Sequence, residues 1–129
     1  SKRVAKYIAE KTGSLPPISA ASFNNINALI DSNSVNALLL IASTWGDGEL
    51  QDDMESLLVR SIRLETPVGA HLVELGNYYG YDDFEFGALA IMESLAQNLE
   101  LTVWQRLSLD SFPKIDWSTL DRWLSGIRR

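Results

Sequence analysis

Ala37-Leu38-Leu39-Leu40-Ile41-Ala42 is the longest strongly apolar run of the chain. A membrane span needs about 20 such residues, so the run belongs inside a soluble core. Asp31-Ser32-Asn33-Ser34, just before it, is a turn that offers N-cap side chains. Gly46-Asp47-Gly48 stands just after it. The spacing predicts a helix from Val35 to about Trp45, with Leu38, Leu39, Ile41 and Ala42 inward.

Outward from this run, the other segments read at helical period as well. Toward the N-terminus, Phe23, Ile26, Leu29 and Ile30 form one face, and Val4 and Ile8 another. Gly13-Ser14-Leu15-Pro16-Pro17 separates the two, since no helix interior accepts that string. Toward the C-terminus, Leu50, Met54, Leu57, Leu58 and Ile62 make a stripe, with acids early and Arg60 and Arg63 late. Thr66-Pro67 reads as a helix start before Val68, Leu72, Leu75 and Tyr79. Asp82-Asp83 opens the most apolar helix, carrying Phe84, Ala88, Ile91, Leu95 and Leu99. The glycines inside these two helices, Gly69, Gly76 and Gly87, suggest close helix–helix approach.

Leu99-Glu100-Leu101-Thr102-Val103 alternates like a strand, but Thr102 and Gln105 also form a capping box. With no second strand to pair with it, a short helix over about 103–110 is expected. Asp116 or Ser118 caps a last helix with Leu120, Trp123, Leu124 and Ile127. The expected fold is all-α: one domain over 1–129, an irregular bundle or short stack of seven to eight antiparallel helices.

The chain has 129 residues, 46% of them apolar, and a net charge of −6. Such a length buries enough surface to fold without a staple. No cysteine is present, which removes disulfides and thiol chemistry and fits a cytoplasmic protein. Lys2, Arg3 and Lys6 are not followed by an apolar stretch, so no secretory signal is expected. Residues 12–105 carry thirteen acids against two bases, while both ends are basic. That distribution disfavours nucleic acid and suits a basic protein partner. No membrane partner is expected, and a monomer is.

Motifs for catalysis are missing: there is no nucleophile elbow, phosphate loop or Gly-x-Gly-x-x-Gly. On a helix, His71 and Glu74 would share one turn, a single reversed copy of a metal pair. The Asp47–Asp53 cluster lacks the ligand spacing of a calcium loop. Trp45, Trp104, Trp117 and Trp123 could line a pocket, though core packing explains them equally. The expectation is therefore no enzyme, no cofactor and no metal.

The remaining constellation is Asn77-Tyr78-Tyr79-Gly80-Tyr81-Asp82-Asp83-Phe84-Glu85. Tyrosines give rigid contact area, and carboxylates pair with a partner's lysines or arginines. Tyr78, Tyr81, Asp82, Asp83 and Glu85 are the first candidates for partner binding, and Asp47, Asp52 and Asp53 a second patch. Capping and hairpin plugging explain the same residues without a partner. Tyr78-Tyr79 followed by Asp82-Asp83 resembles the toxin-binding segment of the small helical immunity proteins of nuclease colicins. In kind the chain is similar to bacterial immunity proteins, including those of contact-dependent growth inhibition. The resemblance implies a cytoplasmic antitoxin that covers a cationic toxin domain, commonly a nuclease. The alternative is a helical adaptor or regulatory domain of a larger protein.

Overall fold

A computed structural model describes residues 2–17, 26–43, 63–76, 87–110 and 114–127. Helix α1 spans Lys2–Thr12 and α2 Ile26–Asn33. Strand β1 (Ala37–Ser43) follows, then β2 (Gly69–Gly76), helix α3 (Gly87–Asn98), β3 (Thr102–Asp110) and α4 (Trp117–Ser125). The strands form one parallel sheet in the order β1-β2-β3. Parallel neighbours need crossovers, and α3 lies within the one that joins β2 to β3.

The all-α expectation is overturned, because three stretches expected as helices are strands. The apolar run expected as a helix over 35–45 is β1. The stripe of Val68, Leu72 and Leu75 belongs to β2 and its threshold, and the short helix expected over 103–110 is β3. One physical cause covers the first two. A parallel strand covered on both faces is apolar throughout and shows no alternation. Such a run satisfies helical spacing as readily as strand spacing. All eight residues of β2 are buried.

Side chains alternate across the sheet and divide into two cores. On one face Leu40, Ala42, Ala70 and Leu72 meet Ile26 and Ile30 of α2 and Met92, Leu95 and Ala96 of α3. On the other, Val73, Leu75 and Leu109 meet Val4 and Ile8 of α1 and Leu120 and Leu124 of α4. The result is a helix–sheet–helix sandwich. Helices α1, α2 and α4 sit where the apolar spacing placed them. Among the described residues α3 (Gly87–Asn98) covers the later part of the helix expected from Asp82, and residues 82–86 and the stretch 50–62 lie outside the described residues.

Local chemistry sets the boundaries. Asp116 caps α4 by accepting from the Thr119 amide at 3.2 Å and from the Thr119 hydroxyl at 2.6 Å. Helix α1 ends at Gly13, whose φ of 67° is left-handed. Ser34 and Glu100 take the same conformation after α2 and α3, and the next amides turn back to Ile30 and Ala96. Gly69 serves no helix–helix approach. It lies against the indole of Trp104, whose ring fills the space a Cβ would need. Trp104 is the extra residue of a bulge opposite Ala70/His71. Among the described residues, no helix is long and apolar enough to cross a membrane.

Candidate functional site

Three parallel strands bring three carboxyl ends to one edge of the sheet. Ser43 of β1 stands opposite Leu75, and Gly76 of β2 opposite Asp110 of β3. Adjacent strands are about 4.8 Å apart, so the three exits lie within roughly 10 Å. Ligands of open parallel sheets bind outside this edge.

The eight candidate residues Asp47, Asp52, Asp53, Tyr78, Tyr81, Asp82, Asp83 and Glu85 all lie outside the described residues. Their attachment is nonetheless informative. Ser43 leads directly into the stretch that carries Trp45 and Asp47. Gly76 leads directly into Asn77-Tyr78-Tyr79-Gly80-Tyr81-Asp82-Asp83. In the sequence the two acidic patches stand apart. The strands that precede them in the chain, β1 and β2, end side by side on the same sheet edge.

Just inside that edge lies Glu74, a residue that no partner-binding motif marks. It is fully buried on β2. One carboxylate oxygen accepts from the Leu89 amide at 2.9 Å, and the other accepts from the Ser108 hydroxyl. Leu89 is the third residue of α3 and Ser108 the register partner on β3. Burial pushes the carboxyl above its ordinary range. The bonds from Ser108 and Leu89 draw it partly back, and the charge of Glu93 adds to the rise. Glu93 itself pairs with Arg106 on the surface. The sequence signals for Glu74 are its spacing from His71, which reads as a metal pair on a helix, and a carboxylate inside a mostly apolar run.

His71 is buried too, but on the opposite face, because residues three apart on a strand point to opposite sides. The His71–Glu74 pair therefore cannot share a metal. Among the described residues, no group of three or more His, Cys, Asp or Glu could hold one. The His71 ring lies between Trp104 and Trp123, at 5.6 and 5.9 Å, both edge-on. Trp117 stacks on Tyr7 at 4.5 Å, beneath Arg3. These three tryptophans belong to the α1/α4 face and line no pocket at the carboxyl edge. Trp45 lies outside the described residues.

No protein-family model matches the chain, and no curated protein matches it. Among solved structures, it is similar to a cysteine-to-serine mutant of flavodoxin from Pseudomonas aeruginosa. The TM-score is 0.66 at 20% sequence identity, over 95% of this chain and 83% of that one. This likeness and the parallel sheet overturn the reading as an all-α immunity protein. The fold shown is α/β and flavodoxin-like.

Proposed function

We propose that the chain is a flavodoxin-like electron-carrying domain that binds a flavin mononucleotide at the carboxyl edge of its sheet. One observation carries this reading: two neighbouring parallel strands, β1 followed in the chain by Trp45 and β2 followed by Tyr78, Tyr79 and Tyr81, end at the edge where such sheets take their ligands. The residue types suit the group. A planar ring system is held by aromatic plates, and Trp45 lies two residues beyond β1, while Tyr78, Tyr79 and Tyr81 follow within five of β2. Hydroxyls of Ser43 and Thr44 and the amides around Gly46, Gly48 and Gly80 add hydrogen-bond donors for its polar rim. The composition of β1 also supports the reading. It is apolar on both faces like an inner strand, yet among the described residues only β2 pairs with it. In sheets ordered 2-1-3-4-5, the ligand crevice opens beside the third strand.

A bound flavin supplies reversible uptake of one or two electrons. The chain's own residues do the rest. Trp45, Tyr78, Tyr79 and Tyr81 would hold the ring and exclude water. Asp47, Asp52, Asp53, Asp82, Asp83 and Glu85 belong to the two stretches that follow β1 and β2 in the sequence and would add negative charge there. That charge opposes further negative charge there and draws in a basic protein partner. In this reading the expected cofactor-free domain becomes a cofactor carrier. The expected cationic partner is kept, as a redox protein, and the chain relays electrons without transforming a substrate.

The test is titration of the purified chain with flavin mononucleotide, followed by quenching of flavin fluorescence. Saturable binding is expected, weakened several-fold by Trp45→Ala or Tyr78→Ala, in line with about 0.5–1.5 kcal/mol per aromatic contact. Failure of flavin mononucleotide, riboflavin and flavin adenine dinucleotide alike to bind would overturn the reading.

A further inference from the structure

Among the described residues, β1 stands at one end of the sheet and β3 at the other. The two edges are built differently. Natural sheets blunt an edge with charged side chains, prolines or bulges, because its unpaired N–H and C=O groups are a template for another strand. Strand β3 carries Arg106 and Asp110 and bulges at Trp104. Strand β1 reads Ala37-Leu38-Leu39-Leu40-Ile41-Ala42-Ser43 and holds no charge, proline or bulge.

The polar groups of the β1 edge can be assigned. In a strand, the N–H and C=O of one residue point to one side, and those of the next residue to the other. The Asn36 carbonyl accepts from the Gly69 amide at 3.0 Å, so Asn36, Leu38, Leu40 and Ala42 turn their backbone groups to β2. Those of Ala37, Leu39 and Ile41 point outward, and among the described residues no hydrogen bond reaches them. The side chains are incompletely covered as well. Leu38 on one face, and Leu39 and Ile41 on the other, are half-buried, whereas all of β2 is buried. The topology agrees. In the order 2-1-3-4-5, three consecutive neighbours can only be 3-4-5, which puts a further strand beside the first of them. This chain covers 83% of the similar flavodoxin, so parts of that fold have no counterpart here.

We propose that the outer edge of β1 is a strand-docking site. Its occupant is an extended, uncharged apolar segment supplied from outside residues 1–129, which pairs with the backbone of Ala37, Leu39 and Ile41. The composition of the edge sets that chemistry: β1 offers apolar side chains on both faces and no charge to a partner's lysine or carboxylate. The assignment is independent of the flavin reading, since it uses β1 alone.

Peptide binding and amide exchange on the whole chain test this. The probe is a short peptide of valine, isoleucine and leucine with lysines at its ends. It is made unmodified, N-methylated on alternate residues, and N-methylated on every residue. Alternate methylation leaves a strand one bare edge, and full methylation leaves none. Saturable binding is expected for the first two forms and not for the third. In the free protein, the Leu39 and Ile41 amides are expected to exchange quickly, and those of Leu38, Leu40 and Ala42 slowly. Adding unmodified peptide should raise protection at Leu39 and Ile41 by at least about tenfold. Equal binding of the fully methylated form would show adhesion without strand pairing and overturn the proposal. So would the absence of binding by any form. Protection of Leu39 and Ile41 in a free protein that sediments as a dimer would give the edge to a second copy, which overturns it too.

Discussion

Backbone conformation and close contact give the sharpest expectations for single residues. Glu100 takes a left-handed conformation that costs a residue with a Cβ roughly 1–2 kcal/mol. Glycine avoids that cost but adds freedom to the unfolded chain. Glu100→Gly is therefore expected to stabilise by about 0.5–1 kcal/mol in urea denaturation. Gly69→Ala drives a methyl into the Trp104 ring and should cost about 1–3 kcal/mol, as overpacking does. The same change made in a Trp104→Leu background should cost clearly less, because the two sites touch. Asp116 carries a charge-dependent cap. Its bonds from the Thr119 hydroxyl and amide hold its carboxyl below the ordinary value. A depressed carboxyl contributes stability above its unfolded value, and that contribution disappears as pH falls through the folded one. Asp116→Ala should thus lower the melting temperature at neutral pH, with the gap closing in acid. Some of this residue chemistry is legible in the sequence. The Asp116 cap and the Gly13 break are readable because Asp and Gly are strong local signals. The left-handed conformations at Ser34 and Glu100 are not, although Asp31–Ser34 reads as a turn, since neither residue type advertises them.

Among the elements, β2 is the keystone, with a strand on each side and a helical layer on each face. Leu72 is fully buried there, and Leu72→Ala should cost about 2–5 kcal/mol in the same assay. The contrast is the Arg106–Glu93 pair, whose side chains are 48% and 38% exposed. Arg106→Gln should change stability by less than about 1 kcal/mol, as exposed ion pairs do. Element type is legible wherever one face meets water. Helices α1 and α4 bury a stripe and leave the rest wet, so their 3.6-residue period survives in the sequence. It is illegible for β1 and β2, which are covered on both sides. Their neighbours come from distant parts of the chain, and pairing over such separations leaves no local mark.

For the whole molecule, the sheet predicts a far-UV circular dichroism spectrum and an amide I band with both helix and sheet components. A spectrum of helix alone would contradict the parallel strands. The candidate site shows the same division between local and distant information. The acids and tyrosines of residues 47–53 and 77–85 stand out in the sequence as recognition residue types, because types and crowding are local facts. That the strands preceding them end side by side does not, because it depends on β1 and β2 pairing in parallel register. Nor does Glu74, which a helical reading puts beside His71 and the sheet turns to the other face. Composition and contacts within a few residues were enough for the size of the core, the charge distribution, the amphipathic helices and the residue types available for recognition. Packing was needed to make strands of the doubly covered apolar runs, to bring their ends together, and to bury an acid where they meet. Those outcomes depend on what covers each face, and that is settled only when distant segments pack.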